Sequence, residues 1–199
     1  MAVPVSGLTA LQAIRKVAKV KAGQKVLVIG ASGGVGSFAV QIAKSFGAEV
    51  TGVCSTRNLE LVRSIGADNV IDYTQQEITD DGQQYDVILD TAGNRPISLL
   101  RKALTPTGTL VIIGGEEGGN FMGGTHRQMW AMAISPFISQ KLTTFMSKEN
   151  QADMQTLADM LETGQIKPVI DSIYSLAEVS EAIKHMEQGH PSGKIVITV

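Results

Sequence analysis

Lys25-Val-Leu-Val-Ile-Gly30-Ala-Ser-Gly-Gly-Val-Gly36 is the stretch that decides the fold of this chain. Its first five residues form a short, nearly unbroken apolar run ending at a glycine, as a strand buried on both faces does. Beyond the glycines, 38–46 reads as a helix that Gly47 stops. Strand, glycine turn and helix in that order predict the opening of a βαβ unit. Counted from Ala31, the turn is the dinucleotide fingerprint with its first glycine replaced by alanine. Gly33 would let the backbone approach a pyrophosphate, and Gly36 would let the helix pack close against the strand. The amides of Gly34 and Val35 then point at anionic oxygens with the helix dipole behind them. Glycines also make plain tight turns, but here both flanking elements are present. No Gly-Lys-Ser/Thr follows, so the turn is not a P-loop.

Working outward, 49–54 reads as a second strand, 58–65 as a helix ended by Gly66, and 70–71 as a short strand. A strand at 86–90, a helix at 97–104 and a strand at 108–114 follow. This alternation predicts an α/β fold, a Rossmann-type doubly wound parallel sheet of about six strands. Upstream, Ser6 is expected to cap a first helix with apolar positions Leu8, Leu11, Ile14, Val17 and Ala18. Downstream, 116–124 is glycine-rich, and 125–140 reads as a helix that Pro136 must break or kink. Lys141-Leu-Thr-Thr-Phe-Met146 is the expected sixth strand, and 151–161 an amphipathic helix. A strand at 167–174, a helix at 177–186 and a strand at 194–199 close the chain. The expected division is a dinucleotide-binding domain over 1–165 and a C-terminal tail over 166–199.

Composition narrows the function. The 199 residues carry 17 Lys+Arg against 19 Asp+Glu, a net charge of -2, which offers no polyanion-binding surface. Nucleic acid is therefore excluded as the expected partner. Hydrophobic residues at 43% supply a sizeable core, and charged residues at 18% argue against disorder. Cys54 alone cannot form an intrachain disulfide, and His126, His185 and His190 have no zinc-ligand spacing with it. No apolar run approaches the roughly 18 residues that span a bilayer, and the N-terminus lacks a basic leader region. A cytoplasmic protein without a membrane span is the expectation.

The end of the second strand points to the cofactor. A chain that binds NAD usually carries Asp or Glu there, about 20 residues past the turn, to accept from the ribose 2′-OH. Here it reads Val53-Cys-Ser-Thr-Arg-Asn58. Ser55 and Thr56 offer hydroxyls, and Arg57 offers a planar fork suited to a 2′-phosphate. Glu49 opens the strand instead of ending it. The reading is NADP(H) over NAD(H), against the plainer one of a capped helix with a solvated arginine in its first turn.

Five stretches in combination resemble one family: Val5-Ser-Gly-Leu-Thr-Ala-Leu, Gly30 to Gly36, Val40-Gln-Ile-Ala-Lys44, Ser64-Ile-Gly-Ala-Asp68 and Gly193-Lys-Ile-Val-Ile197. From Thr9 to Val199 the chain resembles the cofactor-binding half and tail of medium-chain dehydrogenases/reductases, in their zinc-independent quinone oxidoreductase branch. The resemblance implies hydride transfer from NADPH to a quinone, enone or related carbonyl. It places Thr9 near the nicotinamide, and Ser32, Gly33, Gly34 and Val35 at the pyrophosphate. Ser55, Arg57 and Tyr73 would surround the adenosine 2′-phosphate, while Gly93, Gly114 and Gly115 would line the cofactor. Two departures stand out. Val5 occupies the position where zinc-dependent relatives carry a cysteine ligand, so no metal is expected. The family's N-terminal GroES-like barrel has no counterpart, so the chain reads as a fragment whose strands at 167–174 and 194–199 lack their usual partners.

No Ser-His-Asp or Cys-His arrangement is evident, and no catalytic residue is assigned. Asp90 is expected to form a turn, Cys54 to pack as a small hydrophobe, and Asp80-Asp81 to make a solvated turn. His126, Arg127 and Trp130 either border a substrate cleft or lie on an amphipathic helix. The Met-rich stretch 122–146 reads as adaptable core or interface. Two functions stay open, an NADPH-dependent reductase (or its cofactor-binding part, a zinc-type alcohol dehydrogenase fragment included) and a non-catalytic NADP(H)-binding module. A methyltransferase on the same sheet is weakened by the missing ribose-binding carboxylate. A homodimer is expected through the 141–146 edge strand, unless the 125–140 helix covers it.

Overall fold

The computed structural model describes residues 3–93, 95–113, 138–144, 146–187 and 191–199. Strand β1 (Lys25–Ile29) lies inside a six-stranded sheet with β2 (Glu49–Cys54), β3 (Asn69–Asp72), β4 (Tyr85–Asp90), β5 (Leu104–Ile112) and β6 (Lys141–Thr144). The order is β3-β2-β1-β4-β5-β6 and every pairing is parallel. The chain reverses direction beside β1, between β2 and β4, and at such a switch point ligands sit beyond the strands' carboxyl ends.

Alternation along β1 shows why a continuous apolar run was needed. Val26 and Val28 join a core with Leu8, Leu11, Ile14, Phe38, Ile42 and Leu157, while Leu27 and Ile29 join one with Ile78, Ile88, Leu100 and Leu110. The first face is covered by α1 (Pro4–Gln12), α2 (Gly36–Ser45), α3 (Leu59–Ser64) and α5 (Gln151–Glu162). The second is covered by α4 (Ile97–Ala103) and the loop carrying Ile78. Helical cover on both faces makes the sheet doubly wound.

Ser6 does not cap the first helix. Pro4 stands at its opening, where a fixed φ and a missing N–H are tolerated, and the helix starts before Ser6. Ser6 is buried inside α1 instead, and α1 runs on into a π-helical segment, Ala13–Ala18, that ends at Lys19 in the left-handed region. β5 also starts earlier than expected, straight after α4, because Leu104 pairs with Tyr85 ahead of extra β5 residues, the regular register resuming at Val87 and Thr109. Residues 138–140 are bends leading into β6, not the end of a helix. The 116–124 loop, the rest of the 125–140 helix, His126, Arg127 and Trp130 lie outside the described residues.

The two tail strands, expected to lack their usual partners, meet each other. Strands β7 (Ile170–Ser175) and β8 (Lys194–Thr198) pair with each other in parallel, with α6 (Val179–Glu187) between them. The tail is thus a small βαβ unit whose strands are each other's partners. The Gln41 side chain binds it to α2, accepting from the Lys167 amide at 2.8 Å and donating to its carbonyl at 2.9 Å.

Candidate cofactor site

The glycine turn leaves β1 at its carboxyl end and enters α2 at once. At Gly36 a Cβ would overlap the Gly30 carbonyl, so only glycine lets this helix come so close to the strand. At Gly34 a Cβ would stand 3.0 Å from Lys194 Nζ, which comes from the opening residue of β8. Lys194 also donates to the Ser6 hydroxyl. Among the described residues no carboxylate pairs with this ammonium, and burial pushes its pKa down. An anion seated at the turn would offset that burial cost.

The end of β2 is tied to its neighbours. Tyr73 follows β3, is 43% exposed, and donates its amide to the Cys54 carbonyl at 3.1 Å. That bond places Tyr73 beside Ser55. Arg57 is exposed in the turn Thr56–Asn58. Asp72, at the end of β3, sits opposite Cys54. Its carboxylate accepts from Thr56 Oγ1 at 2.5 Å, Thr74 Oγ1 at 2.7 Å and the Thr74 amide at 2.9 Å. The Thr56 and Thr74 hydrogen bonds lower its pKa, outweighing desolvation. A carboxylate so fully engaged holds the two strand ends together and leaves little capacity for a ribose diol. Burial, with Asp72 adding to it, pushes the Cys54 thiol up to about 11, in keeping with a small packed hydrophobe.

Of the remaining expected residues, Gly93 and Thr9 are described. Gly93 follows β4 with φ +70° and donates its amide to the fully buried Asp90 at 2.9 Å, so Asp90 does form a turn. Thr9 lies on α1, where its hydroxyl meets the Val5 carbonyl at 2.7 Å and Ser147 Oγ at 3.0 Å. Gly114 and Gly115 lie outside the described residues. Asp80 and Asp81 accept from nearby backbone amides in an exposed turn.

Sequence reasoning missed three residues here. By its sequence Asn58 opens a helix, yet it is buried and bonded to Ser32, Ser55 and Ser192. Asp72 was overlooked because it belongs to a neighbouring strand. Lys194 lies far along the chain from Gly34, and no spacing rule brings the two together.

Residues 65–197 match the family model described as zinc-binding dehydrogenase. A chloroplast envelope quinone oxidoreductase homolog of Arabidopsis thaliana is 35% identical over 98% of this chain and 60% of its own length. A mitochondrial NAD(P)H oxidoreductase of Mus musculus is 33% identical over 98% of this chain and 54% of its own length. Among solved structures, the quinone oxidoreductase from Coxiella burnetii superposes with a TM-score of 0.85 at 27% identity, covering all of this chain and 59% of that one. A cobalt- and zinc-bound alcohol dehydrogenase from Pyrobaculum aerophilum gives 0.81 at 27% identity, covering 57% of that chain. The chain thus spans little more than half the length of these relatives. Among the described residues no group of three or more His, Cys, Asp or Glu could hold a metal ion. By its family match and its relatives, the chain belongs to the zinc-binding dehydrogenase family, as a quinone oxidoreductase-like medium-chain dehydrogenase/reductase spanning the cofactor-binding half.

Proposed function

We propose that this chain forms the cofactor-binding part of an NADPH-dependent oxidoreductase that passes hydride to a quinone, enone or related carbonyl without zinc. One observation carries the reading. A glycine turn opens a helix at the sheet's switch point, and the Lys194 ammonium stands over it without a carboxylate partner among the described residues. The donors fit a dinucleotide. Ser32, Gly33, Gly34 and Val35 would hold the pyrophosphate with Lys194, and Ser55, Arg57 and Tyr73 the 2′-phosphate. Thr9 and Gly93 would border the nicotinamide side, together with Gly114 and Gly115. A bound nicotinamide supplies the hydride; the residues of this chain bind and orient it. The names of the relatives support an oxidoreductase acting on a small molecule.

Residues 1–165 are then the dinucleotide-binding domain, and 166–199 a tail that closes over the turn. The single buried thiol suits a cytoplasmic setting, and no described helix is long and apolar enough to cross a membrane. Mixing the purified chain with NADPH and a quinone and following absorbance tests the reading. Because the chain spans little more than half of its relatives, we expect NADPH binding with poor turnover. Failure to bind NADPH overturns the reading. Binding with no turnover under any acceptor, even when the rest of a relative is supplied, favours a non-catalytic NADP(H)-binding module. Val5 at the ligand position predicts no stoichiometric zinc, and elemental analysis finding about one zinc per chain refutes that.

A further inference from the structure

Asn58 is buried among three hydroxyls that come from three separate parts of the chain. Its amide nitrogen donates to Ser32 Oγ at 3.0 Å and Ser55 Oγ at 3.4 Å. Its carbonyl oxygen accepts from Ser192 Oγ at 2.7 Å. Ser192 in turn is held through its own amide, which donates to Asp171 at 2.7 Å. The tail therefore fixes which way the Asn58 side chain faces.

That orientation has a chemical consequence. A hydroxyl carries one proton and two lone pairs. A serine oxygen that already receives an N–H keeps its own proton for another acceptor. Ser32 lies in the glycine turn and Ser55 just past the end of β2. Phosphate oxygens accept hydrogen bonds and do not donate them, so both positions need donors.

We propose that Asn58 is a positioning residue that sets the Ser32 and Ser55 hydroxyls as donors toward two phosphate groups of a dinucleotide, with Ser192 of the tail locking its orientation. The proposal rests on the reading of the site as an NADP(H) site and deepens it. Preference for a phosphorylated ribose would then come from hydroxyl polarity as well as from Arg57.

Asn58→Asp has the same shape but can only accept, so it would turn both serine protons inward. The test measures NADPH affinity by calorimetry for the parent, Asn58→Asp, the double variant Ser32→Ala/Ser55→Ala, and the triple variant. In the parent background Asn58→Asp is expected to weaken NADPH by roughly tenfold to a hundredfold, the loss of one or two charge-assisted hydrogen bonds. In the background without the two serines the same substitution should cost far less, because the groups through which Asn58 acts are gone. Equal losses in both backgrounds would mean that added charge or a distorted fold is responsible, and would overturn the proposal. So would no loss at all. If the Asp variant does not fold, Ser192→Ala releases the amide from the other side, and NADPH affinity should fall only while Ser32 and Ser55 are present. A parent that binds neither cofactor brings down the reading beneath as well. A parent that prefers NADPH with no coupling between Asn58 and the serines brings down this proposal alone.

Discussion

Arg57 stands just past the end of β2, where a carboxylate would mark an NAD-type strand, and Asp72, the acid paired across from Cys54, is already occupied by Thr56 and Thr74. The diol-binding group of that type is thus missing while the cationic fork is present. NADPH should bind more tightly than NADH. Arg57→Ala should weaken NADPH selectively by roughly 1–3 kcal/mol, as expected for a hydrogen bond to a charged group. Calorimetry with both cofactors measures this, and equal affinities in the parent would defeat the assignment. Lys194 makes a second, separable prediction. If its ammonium meets the pyrophosphate, which both cofactors share, Lys194→Met should weaken NADPH and NADH alike, by about tenfold. A loss confined to NADPH would instead move Lys194 to the 2′-phosphate.

Elements were legible in the sequence wherever periodicity and burial agree. β1 and β2 came out at their observed limits, because runs buried on both faces are continuous and a glycine or a turn ends them. Errors gathered where a neighbour decides the outcome. β5 begins at Leu104 because Tyr85 of another strand pairs with it, and Ser6 left its capping role because Pro4 had already opened the helix. The site followed the same pattern. Its contiguous glycines were readable, whereas Asn58, Asp72 and Lys194 owe their places to tertiary neighbours. The joint between α1 and α5 is a further case that spacing could not show. Asp153 is fully buried at the start of α5 and accepts from Gln12 Nε2 and Asn150 Nδ2 at 2.6 Å each, from Lys16 Nζ at 2.7 Å, and from Arg15. Removing this carboxylate leaves four donors around an empty space. Asp153→Ala should cost about 1.5–3 kcal/mol, the range for hydrogen bonds to a charged group, because the Arg15 and Lys16 side chains are themselves partly exposed, with a drop in Tm on the order of 5 °C. A calorimetric scan showing a loss of a degree or two would mean that Arg15 and Lys16 simply turn to solvent.

Across the whole molecule, the strand order leaves β6 at one end of the sheet, with β5 as its sole pairing partner among the described residues. An edge strand offers unpaired N–H and C=O groups to any chain of matching register. Proteins often guard such an edge with a protruding lysine, but Lys141 is drawn away from it, since its Nζ donates to the Val17 carbonyl at 3.2 Å. Just past the strand, Met146 is 89% exposed. The tail is a weaker rival as a seam, because β7 and β8 already pair with each other within one chain. We therefore expect two copies to join β6 to β6 about a two-fold axis, continuing one sheet through both. Thr144→Pro removes a ladder donor and crowds the neighbouring strand at that seam. Its Tm should stay within a few degrees of the parent value, since only one terminal pair of the β5–β6 ladder, Ile112 with Thr144, is touched. Light scattering should then give a dimer for the parent and a monomer for the variant. A parent that is monomeric at micromolar concentration would show that the edge is covered, and the β6 seam would have to be abandoned.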